Sequence, residues 1–184
     1  MKIGKLQFVS IIDNKDLVPE CIFDFIDKNF DSNEKRSILA ANINPDYADG
    51  KKLCEIYSID ETMGFNCLIV ECKRNEEKKY CALVAPIGYK YNMSSTVRKY
   101  TNSRMVSVAP LEYVLEKTGM EYGSITPIGL PVEWEILIDP LIKEQERIIV
   151  GGGLAKSKIM IPMDLFLNMP NVKILDNLAK KNED

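Results

Sequence analysis

The stretch from Ser107 to Gly153 carries the residues best placed to do chemistry, and what they offer is main chain rather than reactive side chains. Two glycine-rich features lie about thirty residues apart, the length of one supersecondary unit. The first is Gly123-Ser124-Ile125-Thr126-Pro127-Ile128-Gly129-Leu130-Pro131, and the second is Gly151-Gly152-Gly153, directly after Ile148-Ile149-Val150. Each glycine gives up more backbone entropy on folding than any other residue. Three in a row after a strand are therefore expected where a ligand or another backbone comes close, or where a turn needs positive φ. Between the two features, Trp134-Glu135-Ile136-Leu137-Ile138-Asp139-Pro140 reads as an apolar strand ending in a carboxylate. The spacing predicts a pocket built largely from peptide groups. Peptide N–H groups in such loops can point at one ligand oxygen with no Cβ in the way.

The chain has no histidine. Ser–His and Cys–His nucleophile pairs are excluded, as is the commonest metal ligand. Ser124 and Thr126, lacking such a base, read as hydrogen-bonding loop residues. Cys21, Cys54, Cys67, Cys72 and Cys81 are odd in number and lack paired zinc spacings. They read as reduced, mostly core thiols of a cytoplasmic protein, with no metal and no cofactor expected. Any hydrolysis must use backbone donors, carboxylates, lysines, hydroxyls or the substrate's own groups.

The elements that must position these residues are interleaved strands and helices. The chain of 184 residues, 46% hydrophobic and 28% charged, has the size and composition of one globular domain. No apolar stretch approaches the ~20 residues of a membrane span, and the N-terminal apolar segment is too broken for a signal peptide. Lys5 to Ile12 reads as a short strand. Pro19 to Asn29 reads as an amphipathic helix with Ile22, Phe23, Phe25, Ile26 and Phe30 inward. Ser37 to Ile43 reads as a strand, followed by a helix capped by Asp46 or Asp49 that runs to about Tyr57, with Leu53, Cys54, Ile56 and Tyr57 inward. Phe65 to Cys72 and Tyr80 to Ala85 form a hairpin about the polar turn Lys73 to Lys79. Ser94 to Tyr100 reads as a helix and Met105 to Val108 as a strand. The tail from Asn177 is expected to fray. The fold class is α+β, or mixed α/β.

Residues and order here resemble the YbaK-type aminoacyl-tRNA editing family, the prolyl-tRNA synthetase-associated domain. Ser107-Val108-Ala109-Pro110 leads into a helix from Leu111 to Thr118 and Gly119, followed by Gly123-x-x-x-Pro127 and Ile128-Gly129-Leu130. Ile136-Leu137-Ile138-Asp139, the three glycines, Lys156-Ser157-Lys158-Ile159 and Pro162-Met163-Asp164-Leu165 complete the set. The similarity runs from about Ala48 to Leu167, so residues 1–45 are expected to be an extension packed on an editing domain of residues 46–176, with 177–184 as tail. The resemblance implies a mixed, partly barrel-like β-sheet flanked by helices. It also implies hydrolysis of the ester between an amino acid and the terminal ribose of tRNA. Carried over by position, Gly123, Ser124, Ile125, Thr126 and Pro127 line one wall of the aminoacyl pocket, with Gly151, Gly152 and Gly153 on the other. Asp139 matches an acidic residue that binds the substrate's α-ammonium or positions a water. At the strand Phe65-Asn66-Cys67-Leu68-Ile69-Val70, Asn66 stands where the family carries a lysine. An amide orients a carbonyl or phosphate but brings no positive charge. Lys90, Lys156 and Lys158 are the nearest lysines that could substitute.

Three functions follow from these readings. The leading one is a free-standing deacylase acting in trans on a mischarged small amino acid. Serine, threonine or alanine is preferred over proline because Ser124, Thr126 and Asn66 would make the pocket polar. The second is a non-catalytic relative that binds an aminoacyl group, a tRNA end or a nucleotide-like ligand, as Asn66 suggests. The third is an interaction domain that kept the fold and lost the pocket. The partner implied is the acceptor end of an aminoacyl-tRNA, with an aminoacyl-tRNA synthetase as an open second partner; neither membrane nor DNA is expected. With a net charge of −3 the chain is not a general RNA binder. Arg98, Lys99 and Arg104 are the cluster best placed for acceptor-end phosphates, whereas Lys73, Arg74, Lys78 and Lys79 are interleaved with Glu76 and Glu77 and read as a solvated turn. Each site residue also has a plainer reading. Gly123 and Pro127 can simply make a turn, the glycines a bulge, and Asp139-Pro140 a strand end.

Overall fold

The computed structural model describes residues 1–182. Its strands are β1 (Lys2–Ile3), β2 (Leu6–Gln7), β3 (Val9–Ser10), β4 (Leu39–Asn42), β5 (Phe65–Arg74), β6 (Glu77–Pro86), β7 (Tyr89–Tyr91), β8 (Met105–Val108), β9 (Glu135–Ile138), β10 (Arg147–Gly151), β11 (Ser157–Pro162), β12 (Val172–Ile174) and β13 (Ala179–Lys181). The α-helices are α1 (Glu20–Asn29), α2 (Ser32–Ser37), α3 (Gly50–Tyr57), α4 (Arg98–Tyr100), α5 (Leu111–Thr118) and α6 (Met163–Leu167). A mixed five-stranded sheet has the order β12-β9-β6-β5-β8, and an antiparallel four-stranded sheet the order β10-β11-β4-β3.

The apolar runs in these strands are explained by burial on both faces. Alternate residues of the two sheets (Ile69, Ala82, Val84, Ile136 and Ile138 of one; Ala40, Ile148, Val150, Ile159 and Ile161 of the other) share one core with Ile22 and Ile26 of α1 and Phe166 of α6. The intervening residues pack outward. Val70, Leu83 and Leu137 meet Val97 and Leu178, and Ala41, Ile149 and Met160 meet Leu53 and Cys54 of α3. An isolated parallel bridge between Gly64 and Ile149 joins the sheets where β5 begins. The result is the expected mixed, partly barrel-like sheet flanked by helices.

β8 pairs only with Val70–Lys73 of β5, and Ala109 N–H adds one more bond to Ile69 O. The first residues of β5 therefore have no β8 partner along that edge. This fork is what opens the site.

Several elements differ from expectation. Lys5 to Ile12 is two short strands and a 3-10 turn rather than one strand. A helix, α2, precedes β4; Asp31 accepts from Asn33 and Glu34 N–H while Glu34 accepts from Asp31 N–H, a capping box legible in Asp31-Ser32-Asn33-Glu34. Asp49 rather than Asp46 caps α3, and Ile56 faces solvent. The β5–β6 turn is two residues long, with Asn75 at φ 55°. Lys73 and Lys78 stand on the paired strands, where both reach Glu71. Residues 1–45 do more than pack on the domain, because β4 is hydrogen-bonded to β11 within the four-stranded sheet. The expected frayed tail is ordered through Asn182: β13 pairs with β7 and Leu178 is fully buried. Glu183 and Asp184 lie outside the described residues.

Candidate functional site

A cavity of about 640 Å³ lies in the fork, walled by Phe65–Ile69 of β5, Ile149–Gly151 of β10, the Tyr122–Ile125 loop and the start of α3. Asp49 places α3 here by capping it through Lys52 N–H. Val108, Leu111 and Tyr122 stand at its border with much of their apolar surface in solvent.

The two glycine-rich bends meet. Gly153 N–H donates to Ser124 O at 2.9 Å, and a Cβ on Gly151 would fall 2.6 Å from Ser124 O and 2.8 Å from Ile125 O. That separation requires glycine at 151. Not all the peptide groups are free for a ligand, however. Ser124 N–H is held by Glu121 O, Gly152 N–H by Ser157 O and Gly153 N–H by Ser124 O. Because Gly152 and Ser157 form a hydrogen-bonded pair, the next pair, Gly151 opposite Lys158, is the open kind, and the Gly151 N–H turns away from the ladder. Among the described residues, no backbone acceptor takes the N–H of Gly123 or Ile125. Gly123 holds φ 76° with open space around its Cβ position. Among the described residues, Gly123, Ile125 and Gly151 are thus the lining residues of the two bends whose N–H groups no backbone acceptor takes.

The nominated residues divide accordingly. Asn66, Gly123, Ile125 and Gly151 share the cavity wall. Asn66 Oδ1 lies 3.3 Å from where a Cβ of Gly50 would sit, at the start of α3, and its backbone carbonyl accepts from Tyr91 Oη at 2.8 Å. Ser124, Thr126 and Pro127 are buried behind the wall, and the Ser124 and Thr126 hydroxyls have no partner. Gly152 and Gly153 also lie behind it, against Ser157 and against Pro19 and Ile22. Asp139 does not border the cavity. Its carboxylate accepts from Leu141 N–H at 3.0 Å and Ala179 N–H at 3.2 Å, so in place of meeting a substrate ammonium it ties the end of β9 to β13. Arg98, Lys99 and Arg104 are exposed outside the cavity. β8 runs from them to Val108, roughly 13 Å at ~3.3 Å per residue.

Cys54 and Cys67, both on the wall, are poor nucleophiles. Burial pushes the Cys54 thiol up to about 11 and raises that of Cys67 further. Among the described residues, Lys158 is the one basic side chain on the wall, and burial lowers its ammonium pKa against the opposing pull of Asp49 and Cys54. Sequence reasoning named it only among three lysines. The stronger signal was its place in Ser157-Lys158-Ile159-Met160-Ile161, a lone charge in an otherwise buried strand. Asp49 and Tyr122 were missed as wall residues; Asp49 read only as a helix cap. Among the described residues no group of three or more acidic or cysteine side chains is arranged to hold a metal, and no helix is long and apolar enough to cross a membrane.

Comparison with known proteins adds to this geometry. A family model for the aminoacyl-tRNA editing domain matches residues 44–168. No curated protein matches the chain. Among solved structures, one of a protein described only as hypothetical superposes with a TM-score of 0.72 at 15% identity, covering 88% of this chain and 100% of that one. Another, of a candidate trans-editing enzyme for prolyl tRNA synthetase, gives a TM-score of 0.71 at 10% identity, covering 90% of this chain and 99% of that one. At these identities the likeness is one of fold.

Proposed function

The chain belongs to the aminoacyl-tRNA editing domain family, and from that premise we propose that it hydrolyses, in trans, the ester linking a mischarged amino acid to the terminal ribose of tRNA. The observation that carries this reading is the convergence of Gly123, Ile125 and Gly151 main chain with the Asn66 amide on one cavity. In the reaction a water oxygen bonds to the acyl carbon, the carbonyl oxygen gains negative charge, and the carbon–ribose oxygen bond breaks as the ribose oxygen takes a proton. Such an ester is already reactive, so holding it and stabilising the oxyanion supply most of what is needed. The N–H groups of Gly123, Ile125 and Gly151 are the donors suited to this, and the Asn66 amide is suited to orienting the substrate. Without histidine, and with both wall thiols held protonated, no side-chain nucleophile of the usual kinds serves. The neighbouring ribose hydroxyl is the group placed to steer the water.

For the amino acid, the polarity expected from Ser124 and Thr126 is absent, because their hydroxyls sit behind the wall. Leu53, Ile69, Val114, Ile125 and Ile149 make the lining mainly apolar. Among serine, threonine and alanine this favours alanine, at the ~1–3 kcal/mol per methylene that such pockets discriminate. The test is deacylation across a panel of mischarged tRNAs. Turnover above the spontaneous rate, highest on an alanyl ester, is expected; none on any member refutes the proposal. Binding of aminoacyl-tRNA without hydrolysis would select the non-catalytic reading that Asn66 motivates.

A further inference from the structure

Lys158 enters the cavity from the sheet opposite Asn66, and its surroundings are unusual for a strand lysine. In the ladder its neighbours are Gly151 on β10 and Ala41 on β4, residues with little or no side chain. The stem lies in the slot they leave. The ammonium reaches the start of α3, donating to Ala48 O at 2.9 Å. Asn66 approaches the same segment, at Gly50, from the other sheet. The residue is 8% exposed. Among the described residues its ammonium has no carboxylate within ion-pair distance, and only one of its three donors has a partner. A buried ammonium is ordinarily paired, because desolvation without compensation is costly. Here the unpaired donors belong to a residue that lines the cavity.

We propose that Lys158 is the cationic contact of the site, donating to the carbonyl oxygen of the substrate ester and stabilising the charge that oxygen acquires as water adds. This rests on the deacylase reading. Water supplies both new groups: its oxygen bonds to the acyl carbon while the carbonyl π pair moves onto the oxygen held by Lys158. When the tetrahedral species collapses, the carbon–ribose oxygen bond breaks and the ribose oxygen takes up a proton. Lys158 stays protonated throughout.

The alternative is a structural strut that only holds Ala48 O, and two variants of the full chain separate the two roles. Lys158→Gln keeps an N–H donor for Ala48 O but loses the charge, and Lys158→Met loses both. Single-turnover deacylation of the best mischarged tRNA is expected to fall by about 10²–10³-fold in both, the loss typical of removing one oxyanion donor. The Tm should be unchanged in Lys158→Gln and unchanged or raised in Lys158→Met, since replacing a buried charge with an apolar group of similar volume is often neutral or stabilising. Wild-type rates in Lys158→Gln overturn the inference, as does a rate loss matched by loss of folded protein in both variants. If the wild type turns over no mischarged tRNA, the deacylase reading fails on its own. The contact is then read by affinity for a 3′-aminoacylamido-adenosine, whose amide keeps the carbonyl: binding at least tenfold weaker in Lys158→Gln supports it, and equal or undetectable binding in both proteins overturns it.

Discussion

Gly123 and Gly152 look interchangeable as sequence, yet their surroundings assign them opposite tasks. Gly123 has open space where a Cβ would go, and only its positive φ resists substitution. Gly123→Ala should therefore cost stability by about 1–2 kcal/mol, the strain of a left-handed residue. Its larger effect should be on deacylation, through a shifted N–H. A Cβ on Gly152 would sit 2.0 Å from Ser157 Oγ and 2.7 Å from its carbonyl carbon. Gly152→Ala should lower Tm first and activity only in step with the folded fraction. Thermal melts beside single-turnover assays read both. Unchanged stability in Gly152→Ala would refute this division of roles. A Gly152 that touched substrate, as its place on the pocket wall in the sequence reading implied, would instead lose activity with little unfolding. Its N–H is instead engaged by Ser157, which assigns that part to Gly151.

At the scale of elements, the β10–β11 hairpin and the β9–β13 junction are scaffolding of different kinds. The hairpin presents Gly151 and Lys158 side by side to the cavity. The junction closes the far face of the five-stranded sheet. Leu178 is buried among Val70, Leu83 and Leu137, Asn92 N–H donates to its carbonyl, and Asp139 holds Ala179 N–H. Deleting residues 177–184 removes these together, leaving a cavity where Leu178 sat and a half-satisfied buried carboxylate. A loss of about 2–5 kcal/mol is expected, as for truncating a buried leucine, measured by denaturant titration. Unchanged stability would mean that β13 adds nothing to the fold.

For the whole molecule, charge and shape set how a tRNA could be held. A net charge of −3 gives little general attraction to a polyanion, and a cavity of about 640 Å³ is small beside a nucleic-acid duplex. We propose that Arg98, Lys99 and Arg104, at the far end of β8 from Val108, take phosphates of the acceptor arm. Replacing all three with glutamine should weaken tRNA binding uniformly across sequences. It should also flatten the slope of log affinity against log salt by about 2–3. Hydrolysis of a short aminoacyl-adenosine ester should stay at the wild-type rate. A salt slope unchanged by the triple substitution would place the tRNA elsewhere.

The ordered motifs from Ser107 to Leu165 were sufficient to infer the editing family and its mixed sheet. Of the residues nominated from the sequence, the structure brings Asn66, Gly123, Ile125 and Gly151 to one cavity. The bounds of α5 and β8 match the structure to the residue, and Gly119 takes the left-handed conformation that ends α5. What the chain could not announce was direction. Asp139 and Gly152 carried the right residue types but face internal hydrogen-bond partners, and Ser124 and Thr126 turn their hydroxyls inward. Lys158, one lysine of three by sequence, became a basic side chain of the cavity only because β11 lies between two strands that offer it glycine and alanine. Side-chain orientation at a sheet seam depends on which strand becomes the neighbour. Pairing across more than a hundred residues, as between Ala41 and Lys158, leaves no periodic trace in the sequence.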